Sequence, residues 1–279
     1  MKILLTGGKS FLAKELTSYF SKDHTVITTN RNSLDPTDYE NVKAFFKHVE
    51  VDVLIHTAIK GGKRNHPENV MDLYDNLSMF HNLQLFSDKY KVMFNFGSGA
   101  EFDRSGDINI AREEDVFGRC PSEYYGLSKN LITRRIVREN KDIYNLRLFG
   151  CFGINEEPQR LLRGTYSRFA NGESAVVHQD KYMDYFYAQD IGRVIEYISM
   201  NNSNEIPRDI NLCYRQKYKL SELVYKIKCL SNAKNDVIIE DTTLALSYTG
   251  ASDKLENLNI PLIGMDNGIK ECLKNWNKS

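Results

Sequence analysis

The feature that most limits what this chain can become is the regular alternation of its first 150 residues. Residues 2–6, 24–30, 51–58, 91–98 and 144–150 form short runs of apolar, β-branched and aromatic side chains, and each reads as a buried strand. Between them, residues 11–22, 38–49, 69–90 and 124–140 carry apolar positions at helical spacing. Strand followed by helix, repeated, predicts an α/β chain: a parallel sheet whose crossover helices cover both faces. Nearly continuous apolar strands are what such a doubly covered sheet requires.

After Gly153 the alternation weakens. A helix is expected over 158–172 and a strand over 174–179, followed by a polar mixture from Asn201 onward. We therefore expect a main domain over residues 1–155 that also takes 181–200. A smaller lobe would comprise 156–180 and 201–279, over the carboxyl edge of the sheet, where open α/β sheets bind ligands.

Composition narrows the ligand. Thirty-seven basic and thirty-seven acidic residues leave no net field to hold nucleic acid or an anionic membrane, so a small molecule is the expected partner. The five cysteines are odd in number and scattered, which suggests reduced thiols rather than a metal site. The apolar run before Thr6 is too short for a secretion signal, and the expected location is cytoplasmic.

The first strand-to-helix turn, "TGGKSFLA", places Gly7, Gly8, Lys9, Ser10, Phe11 and Leu12 where a phosphate would meet backbone N–H groups and a helix dipole. A G-x-x-G-x-x-G fingerprint would fall on Gly7, Ser10 and Ala13, so only its first glycine is present. At the end of the second strand, "VITTNRN" has no acid at Thr28, Thr29 or Asn30, and Arg31 follows. Enzymes that bind NAD place a carboxylate there for the ribose hydroxyl, whereas a 2′-phosphate calls for cations, so Arg31 and Lys9 point to NADP(H). The alternative is that Arg31 is a solvated loop charge.

The stretch "EYYGLSKN" (123–130) contains a Tyr-x-x-x-Lys pair, and so does Tyr39 with Lys43. Tyr39 opens the helix after the second strand, away from any ligand edge. Tyr125 and Lys129 open the helix after the strand that ends at Ser98, and at i and i+4 they share one face. Tyr124 is expected to point elsewhere and pack.

With these residues the chain resembles the extended short-chain dehydrogenase/reductase family, which comprises nucleotide-sugar epimerases, dehydratases and reductases. The resemblance includes "HTA" at 56–58, "NLSMFHNL" from Asn76, "RLFGCFG" from Arg147, "DYFYAQDIGRVI" from Asp184, and the closing "SDKLENLNIP" and "GIKECLKNW". Stretches 30–46 and 56–76 bring it nearest to the GDP-fucose synthase-like C4 reductases. The chain departs from the pattern at Ser10 and Ala13, at Gly150 where asparagine is usual, and at Met183 where an arginine often meets the substrate diphosphate.

The resemblance implies a Rossmann-type doubly wound parallel sheet with a smaller C-terminal substrate-binding lobe. It also implies that Thr57 and Ala58 join the turn residues and Asn30 around the cofactor. Tyr125 would donate a proton to a sugar ketone and Ser98 would hydrogen-bond the same oxygen. Lys129 would hold the nicotinamide ribose and lower the tyrosine pKa; moving a phenol from about 10 towards 7 takes roughly 4 kcal/mol. Ser98, Gly99, Tyr125 and Arg168 would contact the substrate, Arg168 at its diphosphate unless it is a solvated helix charge. The helices containing "NLSMFHNLQLF" and "YYGLSKNLI" would pack against their copies as the four-helix bundle of a homodimer.

The stretch "GSGAEFD" discriminates among the family's reactions, because extra proton transfers need extra acids and bases. Where the 4,6-dehydratases carry Asp and Glu, this chain has Gly99 and Ala100. The epimerising cysteine of the GDP-fucose synthase pattern also falls on Ala100, and its histidine falls near Arg160. Glu101 would face the opposite way if the strand continued. The expected activity is thus NADPH-dependent reduction of the C4 ketone of a nucleotide-linked 4-keto-6-deoxy sugar, GDP-linked by resemblance, without C3/C5 epimerisation. The alternatives are an NAD-dependent nucleotide-sugar 4-epimerase, a bifunctional 3,5-epimerase/4-reductase using a base such as His178 or Glu101, and a noncatalytic protein of this fold.

Overall fold

The computed structural model describes residues 1–62, 67–139 and 142–277. Residues 63–66 of the stretch 56–76, and Asn140 at the end of the expected fourth helix, lie outside the described residues.

The first half alternates as expected: β1 (Lys2–Thr6), α1 (Phe11–Phe20), β2 (Thr25–Thr28), α2 (Tyr39–Phe46), β3 (Val51–His56), α3 (Val70–Gln84) and β4 (Tyr90–Ser98). There follow β5 (Ile108–Ala111), α4 (Tyr124–Arg138), β6 (Ile143–Leu148) and β7 (Cys151–Phe152). The second half consists of α5 (Leu161–Ala170), β8 (Ala175–Gln179), β9 (Phe186–Tyr187), α6 (Ala188–Met200), β10 (Asp209–Leu212) and α7 (Leu220–Ser231). It ends with β11 (Val237–Asp241), β12 (Tyr248–Gly250), α8 (Asp253–Asn257) and α9 (Met265–Trp276). The third helix is shorter than its pattern suggested. It stops at Gln84, and a 3₁₀ turn at Ser87–Lys89 leads directly into β4.

The central sheet runs β10-β6-β4-β3-β1-β2, and its pairings are parallel. Successive residues of a strand face opposite sides, and the core divides accordingly. Ile3, Leu5, Val53, Ile55, Phe94 and Leu146 pack with α1 and α6, while Leu4, Leu54 and Met93 pack with α2, α3 and α4. The chain steps from β1 to β2 on one side and to β3 on the other. The crevice for a ligand therefore opens between the ends of β1 and β3.

β10 lies within the 201–279 stretch expected to belong to the lobe, yet it is the sixth strand of the sheet. Its polar residues obscured this. Asp209 and Asn211 are buried because they satisfy the guanidinium of Arg147 on β6: Arg147 donates to Asp209 Oδ2 at 2.7 Å and to Asn211 Oδ1 at 2.8 Å. The lobe has its own core of Leu162, Phe169, Val177, Leu223, Ile227, Ile269 and Trp276. It returns to the main domain through β12, which pairs with β5 and brings Tyr248 alongside Ile108.

Candidate active site

The first turn is tightly built. Gly7 has φ of +71°, and a Cβ there would lie 2.8 Å from the Ala58 backbone; such a position excludes other residues. The Gly8 N–H donates to the Thr29 carbonyl at 2.8 Å, which draws the turn against the end of β2. Ser10, standing where the fingerprint has its second glycine, caps α1 by accepting from the Ala13 N–H at 3.2 Å. Its hydroxyl also meets Thr57 Oγ1 at 3.3 Å, and Thr57 in turn donates to the Thr6 carbonyl at 2.6 Å. Gly7, Ser10, Phe11, Thr57 and Ala58 are thus brought together at the crevice. The first turn of α1 has no acidic side chain, so its positive end is open to an anion, as a dinucleotide diphosphate requires. Lys9, Asn30 and Arg31 are exposed beside it. Arg31 is paired with Asp35 at 3.3 Å, a surface contact that leaves most of its guanidinium in solvent.

Under this turn His56 is buried, with Nδ1 at 2.8 Å from Thr6 Oγ1. Burial pushes its imidazole down to about 3, and the nearby Lys129 charge acts in the same direction, so it is neutral.

Tyr125 and Lys129 lie on the first turns of α4. The Tyr125 N–H donates to Glu68 Oε2 at 3.0 Å, and Arg104 bridges Glu68 and Glu123, placing carboxylates at the helix's positive end. The Tyr125 ring lies over Gly62, where an added Cβ would come within 3.0 Å of it. Asn76 on α3 holds the preceding turn, accepting from the Lys60 N–H at 2.9 Å and donating to the Lys60 carbonyl and to Ser128 Oγ. Tyr124 does not pack as expected. One residue earlier on the helix, it faces outward and is 39% exposed. Tyr39 with Lys43 is a surface pair, the ammonium lying 5.8 Å from the ring centroid.

Lys129 is buried, and its Nζ donates to the Phe96 carbonyl at 2.7 Å. Burial pushes the ammonium down to about 8, against an opposing effect from Glu101. The lowered phenol that the resemblance implies is not found in the chain alone. Burial holds the Tyr125 phenol above its ordinary value, with the nearby Ser98 hydroxyl opposing.

Beyond Ser98 the strand does not continue. The chain turns into a 3₁₀ segment at Gly99–Phe102, so strand alternation does not decide where Glu101 points. Glu101 is fully buried and accepts from the Ser98 N–H at 2.8 Å and from Arg147 Nε at 2.8 Å. One guanidinium thus serves two carboxylates, Glu101 and Asp209, and ties the end of β4 to β6 and β10. Glu101 is held in a buried ion pair, and burial pushes its carboxyl above the ordinary value with Arg147 opposing.

Other expected residues lie apart from this cluster. Arg168, in the last turn of α5, donates to the Ser174 carbonyl at 2.7 Å and faces Glu173, as a helix-end charge does. His178 is an exposed residue of β8 beside Glu240. Arg160 donates to the Cys151 carbonyl at 2.8 Å and stacks over the Phe11 ring at 5.0 Å, and Glu156 is 3.4 Å away. At Gly150 a Cβ would lie 2.6 Å from the Asp184 carbonyl oxygen, so an asparagine would not fit this backbone without a shift.

Tyr248 was missed by sequence reasoning. Its hydroxyl lies 3.3 Å from Ser98 Oγ, and its ring meets Phe149 edge-on with centroids 5.4 Å apart. No local pattern marks it, because a strand of the lobe carries it to the site.

The chain belongs to the NAD dependent epimerase/dehydratase family, whose model matches residues 3–213. Among solved structures the fold is similar to MlghC, a GDP-mannoheptose C4 reductase from Campylobacter jejuni with NADP bound. The two share 18% identity at a TM-score of 0.84, covering 100% of this chain and 98% of the other. It is also similar to a GDP-L-fucose synthetase from Naegleria fowleri, at 18% identity and a TM-score of 0.80, covering 100% and 93%. A UDP-N-acetylglucosamine 4-epimerase from Bacillus cereus gives 18% identity and a TM-score of 0.80, covering 99% of each chain. No curated protein sequence matches the chain.

Proposed function

We propose that the protein is an NADP-dependent C4 ketoreductase of a nucleotide-linked 4-keto-6-deoxy sugar, GDP-linked, that leaves C3 and C5 unchanged. The observation that carries this reading is the Ser98, Tyr125 and Lys129 cluster, beside which the only acid of "GSGAEFD" within a turn, Glu101, is consumed by Arg147. Two similar folds, those of a GDP-mannoheptose C4 reductase and a GDP-L-fucose synthetase, support it.

A bound reduced nicotinamide would supply the hydride. The chain's own residues do the rest. Tyr125 gives its proton to the carbonyl oxygen as the alkoxide forms, and Ser98 donates a hydrogen bond to that oxygen. Lys129, anchored on the Phe96 carbonyl, holds positive charge under the site and stabilises the tyrosinate left behind. Gly7, Gly8, Ser10, Phe11, Leu12, Thr57 and Ala58 form the dinucleotide cradle, with Lys9, Asn30 and Arg31 at the ribose phosphate. Residues 1–155 with 181–200 form the cofactor domain, to which we add β10, and the remaining residues form the substrate lobe. The exposed apolar residues of α3 and α4 form the face of a homodimer.

A second reading, a 4-epimerase with bound NAD, draws on the likeness to the Bacillus cereus enzyme and needs the same three residues. A screen of nucleotide-linked 4-keto-6-deoxy sugars for NADPH oxidation, with NMR of the product, tests the first reading. Retention of NAD rather than NADP after purification would favour the second.

A further inference from the structure

The hydrogen bonds around Ser98 lead to a residue outside the expected set. A serine hydroxyl has one proton to donate and two lone pairs to accept with. Ser98 Oγ accepts from the Ala100 N–H at 3.2 Å, which uses one lone pair. It also meets the Tyr248 hydroxyl at 3.3 Å, and the Tyr125 phenol lies near it on the side of the crevice. One acceptor site and one proton remain, so Tyr248 either donates into that site or takes that proton.

The surroundings decide which. Tyr248 is half-buried, and among the described residues its hydroxyl has Ser98 Oγ for a partner; a phenol is a much stronger acid than a serine hydroxyl, so the phenol is the donor. Burial holds that phenol above its ordinary value, and it remains a donor at neutral pH. The Ser98 proton is then left for the side on which Tyr125 lies.

We propose that Tyr248 is a positioning residue of the catalytic cluster: by donating to Ser98 Oγ it fills the serine's last acceptor site and presents Ser98 as a donor to the carbonyl oxygen being reduced. This rests on the ketoreductase reading. The phenol is held for such a role from every side. Its N–H donates to the Tyr182 carbonyl at 2.8 Å, its carbonyl accepts from the Asp184 N–H at 3.1 Å, and its ring is wedged between Phe149 and Gly99. The pairing of β12 with β5 fixes its height over the end of β4.

A double-mutant cycle tests the proposal, using Tyr248→Phe, Ser98→Ala and the two combined. Tyr248→Phe keeps the ring and loses the hydroxyl. It should lower kcat about tenfold or more while leaving the KM and the NADPH Kd near their wild-type values. The double variant should be no slower than Ser98→Ala alone, because the effect of the phenol passes through the serine. A merely structural role would instead give additive losses, and that result, or wild-type turnover by Tyr248→Phe, overturns the proposal. If Tyr248→Phe melts well below wild type, Tyr248→Met enters the same cycle. A wild-type protein that reduces no nucleotide-linked keto sugar would remove the ketoreductase reading itself. Normal reduction by the Tyr248 variants would remove only the role of Tyr248.

Discussion

The ring of Tyr248 occupies the space that a side chain at position 99 would need. A Cβ on Gly99 would lie 2.8 Å from Tyr248 Cζ and 2.5 Å from the Phe149 ring. An acid directly after Ser98 and a phenol from the lobe are therefore alternatives, and this chain has taken the phenol. A side chain at position 99 would collide with the path that β12 takes, and Ala100, itself fully buried, carries no acid.

Turnover in deuterium oxide should consequently leave the sugar's C3 and C5 protons unexchanged. Glu101 is locked to Arg147, and His178 stands exposed in the lobe beside Glu240. Proton NMR of the product reads the outcome. Deuterium at C3 or C5 at the turnover rate would return the protein to the bifunctional epimerase and reductase class.

Replacing Tyr125 with Phe should slow the chemical step by roughly two to four orders of magnitude with NADPH affinity nearly unchanged, since only a proton donor is removed. Tyr124→Phe should be mild because Tyr124 faces outward. Single-turnover kinetics together with cofactor titration separate the two tyrosines, and equal impairment would contradict the assignment.

Arg31→Ala should weaken NADPH much more than NADH, because the lost fork would serve a phosphate that NADH lacks. Its present partner, Asp35, forms an exposed pair with little to lose. Fluorescence titration with both cofactors is the measurement, and equal losses would count against NADP.

Stability should fall as the pH rises from about 4.5 to about 8, in part because of Glu156. Among the described residues its buried carboxylate oxygens have no hydrogen-bond partner, and burial pushes the acid up to about 8, with Arg160 only partly opposing. A folded value above the unfolded one means that the protonated form stabilises the fold. That contribution is complete below the ordinary value of 4.5 and is lost as pH rises through about 8. The loss is of order 5 kcal/mol at most. Glu156→Gln should flatten this part of the profile between pH 5 and pH 9 in denaturant melts, and a slope identical to wild type would show that other groups carry it.

Light scattering should give twice the mass of the chain. Val70, Met71 and Tyr74 on α3 and Leu131 and Val137 on α4 are exposed apolar side chains on helices that pack together. A monomer at micromolar concentration would reject the dimer.

The sheet was legible in the sequence because its evidence is local. Short, nearly continuous apolar runs marked its strands, and helical spacing put Tyr125 and Lys129 on one side of α4. The same local rules found the Gly7 turn and the missing acids after Ser98. They failed where a contact is made by distant segments. Strand β10 looked polar because Asp209 and Asn211 answer a buried guanidinium 62 and 64 residues earlier in the chain. Glu101 could not be placed by alternation, since the chain leaves the strand for a 3₁₀ segment in which Glu101 meets Arg147 and the Ser98 N–H. The value of the Tyr125 phenol depends on burial, which a neighbouring lysine in the sequence does not report. Tyr248 stands 150 residues from Ser98, and no spacing rule spans that interval. The sequence by itself determined the scaffold, the placing of Tyr125 and Lys129 on one helix face, and the absence of an acid at positions 99 and 100. Only the tertiary structure decided which hydroxyls meet, because that depends on where the lobe returns to the sheet.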